Sequence, residues 1–126
     1  MYSLALFYTK ILKNPKKILI IIQRSNGDVL LSQTLISALY EYYKSPQIDL
    51  LVNDDTLSVA RLLPNINFIH TFSYKKKREN RWKQEKDIIA SVFRKYDLSI
   101  NLTASDRSVL YALFASKNSI SAIEKD

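Results

Sequence analysis

The chain has 126 residues, 47% of them hydrophobic and 25% charged, which is enough for one domain with a modest core. It holds no cysteine and a single histidine, His70, so disulfides and thiolate metal sites are excluded and a multi-histidine metal centre or Ser-His-Asp triad has no support. The formal charge of +7 points to an anionic partner (nucleic acid, phospholipid headgroups or a phosphorylated substrate) without choosing between them.

Residues 1–15 read as an apolar and basic segment apart from the main domain, which spans 16–126. Leu4, Phe7, Tyr8, Ile11 and Leu12 share one side of a short helix, and Asn14-Pro15 stops it. The lysines follow the apolar run, the reverse of a signal peptide. Two readings stay open: a foot on an anionic membrane surface, or a segment packed on the domain. No run approaches the ~18–20 apolar residues of a spanning helix.

Ile18 to Ile22 is five consecutive aliphatics, as in a strand buried on both faces. Gln23 to Asn26 ends it. Gly27, the only glycine, is expected where the backbone takes a conformation that other residues avoid. A helix from about Asp28 to Lys44 follows, with Val29, Leu30, Leu35, Ile36, Leu39 and Tyr40 at helical spacing, and Ser45-Pro46 ends it. Ile48 to Val52 is a second strand. Asn53 to Asp55 caps a short helix over 56–63, and Ile66 to Phe72 is a third strand. A basic segment over 74–86 runs into a helix ending near Lys95, whose apolar face is Trp82, Ile88, Ile89, Val92 and Phe93. Tyr96 to Leu102 is a fourth strand. Ser105 or Asp106 caps a helix through Ala115, and Ser119 to Ile123 is a fifth strand. The alternation implies an α/β fold, a Rossmann-like parallel sheet flanked by helices.

One glycine cannot build a dinucleotide cradle or a P-loop. A phosphoacceptor receiver needs paired acids after the first strand, where Gln23 and Arg24 stand. Asp28 lies at a helix start, where the unpaired N–H groups and the dipole favour a negative charge. An ionised carboxylate facing a crevice can act as a general base; a plain N-cap is the alternative. Residues 74–86 carry seven lysines and arginines against two glutamates. That suits contact with anions, and equally a solvated helix start. Trp82 is expected on the core face rather than as a base-stacking platform, which weighs against nucleic acid.

The stretch from Lys17 to Leu39, with its strand, polar loop, Gly27-Asp28-Val29-Leu30 and helix, resembles the opening of family 9 glycosyltransferases, the bacterial lipopolysaccharide heptosyltransferases. Ile48 to Val52 resembles their second strand. Leu63-Pro64-Asn65-Ile66-Asn67-Phe68-Ile69 resembles their "NP-x-V-D-x-V/I" entry to the third. Lys95 to Leu102, followed by Arg107-Ser108-x-Leu110, resembles their "YD-x-V-I-D-L-Q-G-x-x-R/K-S-x-L". The resemblance covers about residues 16 to 123.

It implies the N-terminal, acceptor-binding half of a GT-B enzyme. Asp28 corresponds to the aspartate proposed as the base of an inverting transfer, and Ser25, Asn26 and Gly27 would shape its loop. Lys77, Arg78 and Arg81 of the basic segment, with Arg107, would hold anionic groups of a lipopolysaccharide core acceptor. No cofactor or metal is implied. The nucleotide-sugar donor, such as ADP-heptose, belongs to a C-terminal domain, and the sequence stops where that domain should begin. The chain is therefore expected to have little or no activity alone, as a truncated product or as one part of a split enzyme with a separate donor-binding chain. The family's "DLQG" reads Asn101-Leu102-Thr103-Ala104, and the usual proline of the first helix is Thr34. The implied location is cytoplasmic, peripheral at the inner face of the inner membrane. A non-catalytic acceptor- or membrane-binding module and a basic nucleic-acid-binding domain are the alternatives.

Overall fold

A computed structural model describes residues 15–103 and 106–121, with the side chains of 75–81, 106, 107 and 110 outside that description. The expected amphipathic segment over 1–14 and the end of the fifth strand beyond 121 lie outside the described residues.

The five-aliphatic run forms the centre. Strand β1 (Lys17–Ile22) pairs in parallel with β2 (Gln47–Asn53) on one side and β4 (Leu98–Asn101) on the other. Strands β3 (Phe68–Phe72) and β5 (Ser119–Ser121) extend the sheet to the order β3-β2-β1-β4-β5. Alternate residues of β1 enter two cores. Ile18, Ile20 and Ile22 pack with Val29, Leu35, Ile36 and Leu39 of helices α1 (Asn26–Leu31) and α2 (Gln33–Tyr42). A 3-10 turn over Asp54–Thr56 leads into the short α3 (Leu57–Ala60) on the same face. Leu19 and Ile21 pack with Ile88 and Val92 of α4 (Tyr74–Val92) and with Tyr111, Ala112 and Ala115 of α5 (Asp106–Ala115). Both faces of the sheet are therefore covered, as the unbroken aliphatic run requires. Each fully buried isoleucine contributes about 1.5–3 kcal/mol of apolar transfer. No described helix is long and apolar enough to cross a membrane.

Three local expectations are corrected. The first helix begins at Asn26, with Ser25 as its N-cap: Ser25 is extended (φ −69°, ψ 167°), and its Oγ accepts from the Asp28 N–H at 3.4 Å. Asp28 is thus a first-turn residue, and Gly27 sits inside that turn. Gly27 has no positive φ, and a Cβ there would meet only Ser25 Oγ at 3.9 Å. Among the described residues, the left-handed positions belong to Lys44, Ser45, Asn65 and Arg94, where helices and turns end. The helix expected over 28–44 is interrupted at Ser32. Its buried hydroxyl bonds back to the Val29 carbonyl, and its N–H is shared between the Asp28 and Val29 carbonyls at 3.2 Å each.

The third correction concerns α4. Trp82 is 78% exposed, and Phe93 is also exposed. Ile88 and Val92 set the inward line of the helix. Trp82 lies about 100° off it, at roughly 100° per residue. One helical turn before Ile88, the inward position is Gln84. Its side-chain amide accepts from the Ser73 N–H (2.7 Å) and donates to the Ser73 carbonyl (2.9 Å), tying the helix to the end of β3. Phe93 follows the end of α4, just before Arg94 (φ 53°), and its ring meets Phe114 at 6.2 Å.

Candidate functional site

The chain reverses its direction of travel across the sheet between β1 and β4. In an open parallel sheet the crevice at the carboxyl ends beside such a switch point is the ligand position. Ser25, Asn26, Gly27 and Asp28 stand there together, directly after β1. The first two turns of α4 and the first of α5 follow the carboxyl ends of β3 and β4, so the topology starts the stretch with Lys77, Arg78 and Arg81 and the one with Arg107 from the same edge of the sheet. Their side chains lie outside the described residues.

The Asp28 carboxylate is partly exposed, its side chain at 38%. Its Oδ2 accepts from Ser25 Oγ at 2.9 Å and from Arg24 Nε at 3.2 Å. Its Oδ1 makes no hydrogen bond among the described residues. One oxygen is thus held in place by its own helix start, and the other remains able to accept a proton. The two described cavities open elsewhere and do not include this residue.

The structure adds residues that the motif reading missed. Gln23, 8% exposed, and Asn53, 7% exposed, follow one another across β1 and β2 at the carboxyl edge. Among the described residues, Gln23 Nε2 and Oε1 and Asn53 Oδ1 have no hydrogen-bond partner. Buried amides are normally satisfied, so these atoms are suited to a hydroxyl-bearing ligand or to water. Gln23 is fixed through its backbone, whose N–H donates to Thr103 Oγ1 at 2.7 Å. Asn101, standing where the resembled motif has an acid, is fully buried. It donates to Ser108 Oγ (3.0 Å) and Ser121 Oγ (3.4 Å) and accepts from the Thr103 N–H (2.9 Å). An ionised aspartate could not donate to either serine. A run of polar residues at a strand end was the only signal for these roles.

A second polar cluster lies off this rim, spanning β2, β3 and the entry to β4. Tyr96 Oη donates to Asp49 Oδ2 at 2.6 Å, Asn67 Nδ2 donates to Asp49 Oδ1 at 3.2 Å, and His70 Nε2 is 2.9 Å from Tyr96 Oη. Burial lowers the His70 pKa, against the pull of Asp49 and aided by Lys95. Burial, with the Asp49 bond and charge, raises that of Tyr96 far above the usual phenol range. No group of three or more metal-ligating side chains occurs among the described residues.

This sheet order, covered on both faces, defines a Rossmann-like domain of the kind found in GT-B glycosyltransferases. Over 82 residues the chain is 34% identical to a lipopolysaccharide heptosyltransferase 3 of Escherichia coli, a match covering 64% of this chain and 24% of that protein. The corresponding enzyme of strain K12 is 32% identical over 84 residues. Among solved structures, a family 9 glycosyl transferase from Veillonella parvula superposes with a TM-score of 0.71 at 21% identity, over 82% of this chain and 30% of that one. The Escherichia coli ADP-heptose lipopolysaccharide heptosyltransferase II gives 0.65 at 24%, over 83% and 30%. An Escherichia coli heptosyltransferase with ADP gives 0.68 at 14%, over 83% and 34%. No family model matches the chain. Sequence and fold together bear out the resemblance to family 9 heptosyltransferases. The chain is a glycosyltransferase-like domain that spans 24% of the length of its curated relatives.

Proposed function

We propose that this domain presents the acceptor in sugar transfer from a nucleotide sugar such as ADP-heptose to a lipopolysaccharide core. Asp28 Oδ1 takes the proton of the acceptor hydroxyl while that oxygen attacks the anomeric carbon. The bond from that carbon to the nucleotide diphosphate breaks, and the diphosphate leaves with its electron pair. Arg24 and Ser25 hold Oδ2 so that Oδ1 keeps its direction. Gln23 and Asn53 offer amide groups to acceptor hydroxyls, and Lys77, Arg78, Arg81 and Arg107 supply cations for its phosphates and acids. The donor is held by a second, donor-binding half, so the 126 residues alone transfer little or nothing. The setting is the cytoplasmic face of the inner membrane, where a basic domain meets an anionic acceptor.

The observation that carries this reading is the Asp28 carboxylate at the switch point, anchored through one oxygen with the other unengaged. The test supplies ADP-heptose and de-acylated core oligosaccharide to the chain, with and without a polypeptide carrying a donor-binding domain. Transfer is expected only with both halves, and Asp28→Asn lowers kcat by about 10²–10⁴ with KM little changed. Transfer that persists at full rate in Asp28→Asn rules the base assignment out. Oligosaccharide binding without transfer in any combination identifies a non-catalytic acceptor-binding module instead.

A further inference from the structure

At the edge of the sheet, β3 and α4 flank an open groove of about 790 Å³. Phe68 and His70 line it from β3, Lys83, Asp87 and Ser91 from α4, and Lys95 from the turn beyond. Three features distinguish it from an ordinary crease. The first is the buried chain behind His70. The only proton on Tyr96 Oη is given to Asp49, so the bond at 2.9 Å must be donated by His70 Nε2. That places the ring hydrogen on Nε2 and leaves Nδ1 as an acceptor. Nδ1 makes no hydrogen bond among the described residues. Aliphatic side chains would fill this part of the core at lower desolvation cost. The polar chain instead fixes the orientation and tautomer of one ring in the groove wall.

The second feature is charge. Among the described residues, Lys83, Lys95 and Asp87 take part in no ion pair, so two ammonium groups and one carboxylate border the same space. The third is Phe68, 55% exposed, whose ring lies 4.8 Å from that of His70 and gives the groove an apolar wall.

We propose that this groove is a binding subsite for an anionic saccharide: Phe68 packs on the C–H face of the sugar, His70 Nδ1 and Asp87 accept its hydroxyls, and Lys83 and Lys95 hold its phosphate or carboxylate. The inference rests on the transfer reading only for one of two sources of such a ligand, units of the acceptor oligosaccharide beyond the reacting sugar. A free sugar phosphate is the other source.

His70 is the single histidine, so the nitrogen resonances of its ring report this groove alone. In ¹⁵N NMR of the full chain, the Nε2–H tautomer is expected. De-acylated core oligosaccharide or glucose 6-phosphate moves the Nδ1 signal, whereas neutral methyl glucoside and inorganic phosphate each bind at least about tenfold more weakly. Replacing both exposed lysines (Lys83→Ala with Lys95→Ala) weakens the anionic ligand by about tenfold or more without disturbing the His70 tautomer. A response to the oligosaccharide alone assigns the acceptor, and a response to glucose 6-phosphate alone assigns a free sugar phosphate. An Nδ1–H tautomer, no response to either anionic saccharide, or equal response to methyl glucoside or inorganic phosphate overturns the proposal. Groove binding is expected to be unchanged in Asp28→Asn. Transfer that depends on Asp28 with no saccharide in the groove sinks this inference alone, and groove binding with transfer independent of Asp28 sinks the transfer reading alone.

Discussion

At the scale of single residues, Asp28 and Gly27 separate two questions that their shared motif merges. Asp28 is fixed through one oxygen by Ser25 and Arg24. Arg24→Ala removes the cation but keeps the serine bond, so it is expected to lower kcat by about tenfold, less than Asp28→Asn does, in the reconstituted transfer assay. Gly27 stands in a helical first turn with room for a methyl group. Gly27→Ala is therefore expected to leave the melting temperature unchanged or to raise stability by up to about 1 kcal/mol. If the acceptor approaches the backbone there, the same change weakens oligosaccharide binding, and calorimetric titration reads the two effects separately. The aspartate was legible in the sequence because a motif marks it. Gln23 and Asn53 were not, because burial and missing partners are properties of neighbours that only the folded sheet brings together.

At the scale of elements, the sequence is most informative where one period has one explanation. Five aliphatics in a row admit only a strand covered on both sides, and β1 is that strand. Helix α4 is the counter-case. Trp82 and Phe93 look like core by composition, but the helical phase is set by Ile88 and Val92, and a polar clasp from Gln84 to Ser73 takes the inward position one turn earlier. The Tyr96→Phe change, hidden from any motif search, is expected to cost about 1–3 kcal/mol, because it removes one of the two side-chain donors to the buried Asp49 carboxylate.

For the whole molecule, the paired cluster of His70 and Tyr96 gives stability a pH profile. Folding holds the imidazole below its ordinary 6.5, so the unfolded chain takes up a proton that the folded one resists. This contribution is complete above pH 6.5 and is lost as pH falls below it. Folding holds the phenol above its ordinary 10.0, so the tyrosine contribution is complete below pH 10 and is lost as pH rises beyond it. Urea midpoints measured across pH are expected to decline on both sides, and His70→Gln flattens the upper part of the acid limb. A different consequence follows from where β1 finds its neighbours. Ile18 faces Ile48 on one side and Leu98 on the other, and Asp97 Oδ2 accepts the Lys17 N–H at 3.0 Å from 80 positions away. During synthesis this aliphatic strand stays open on one side until β4, some 80 positions further along the chain, has been made. A nascent chain stalled short of β4 is therefore the form most in need of a chaperone.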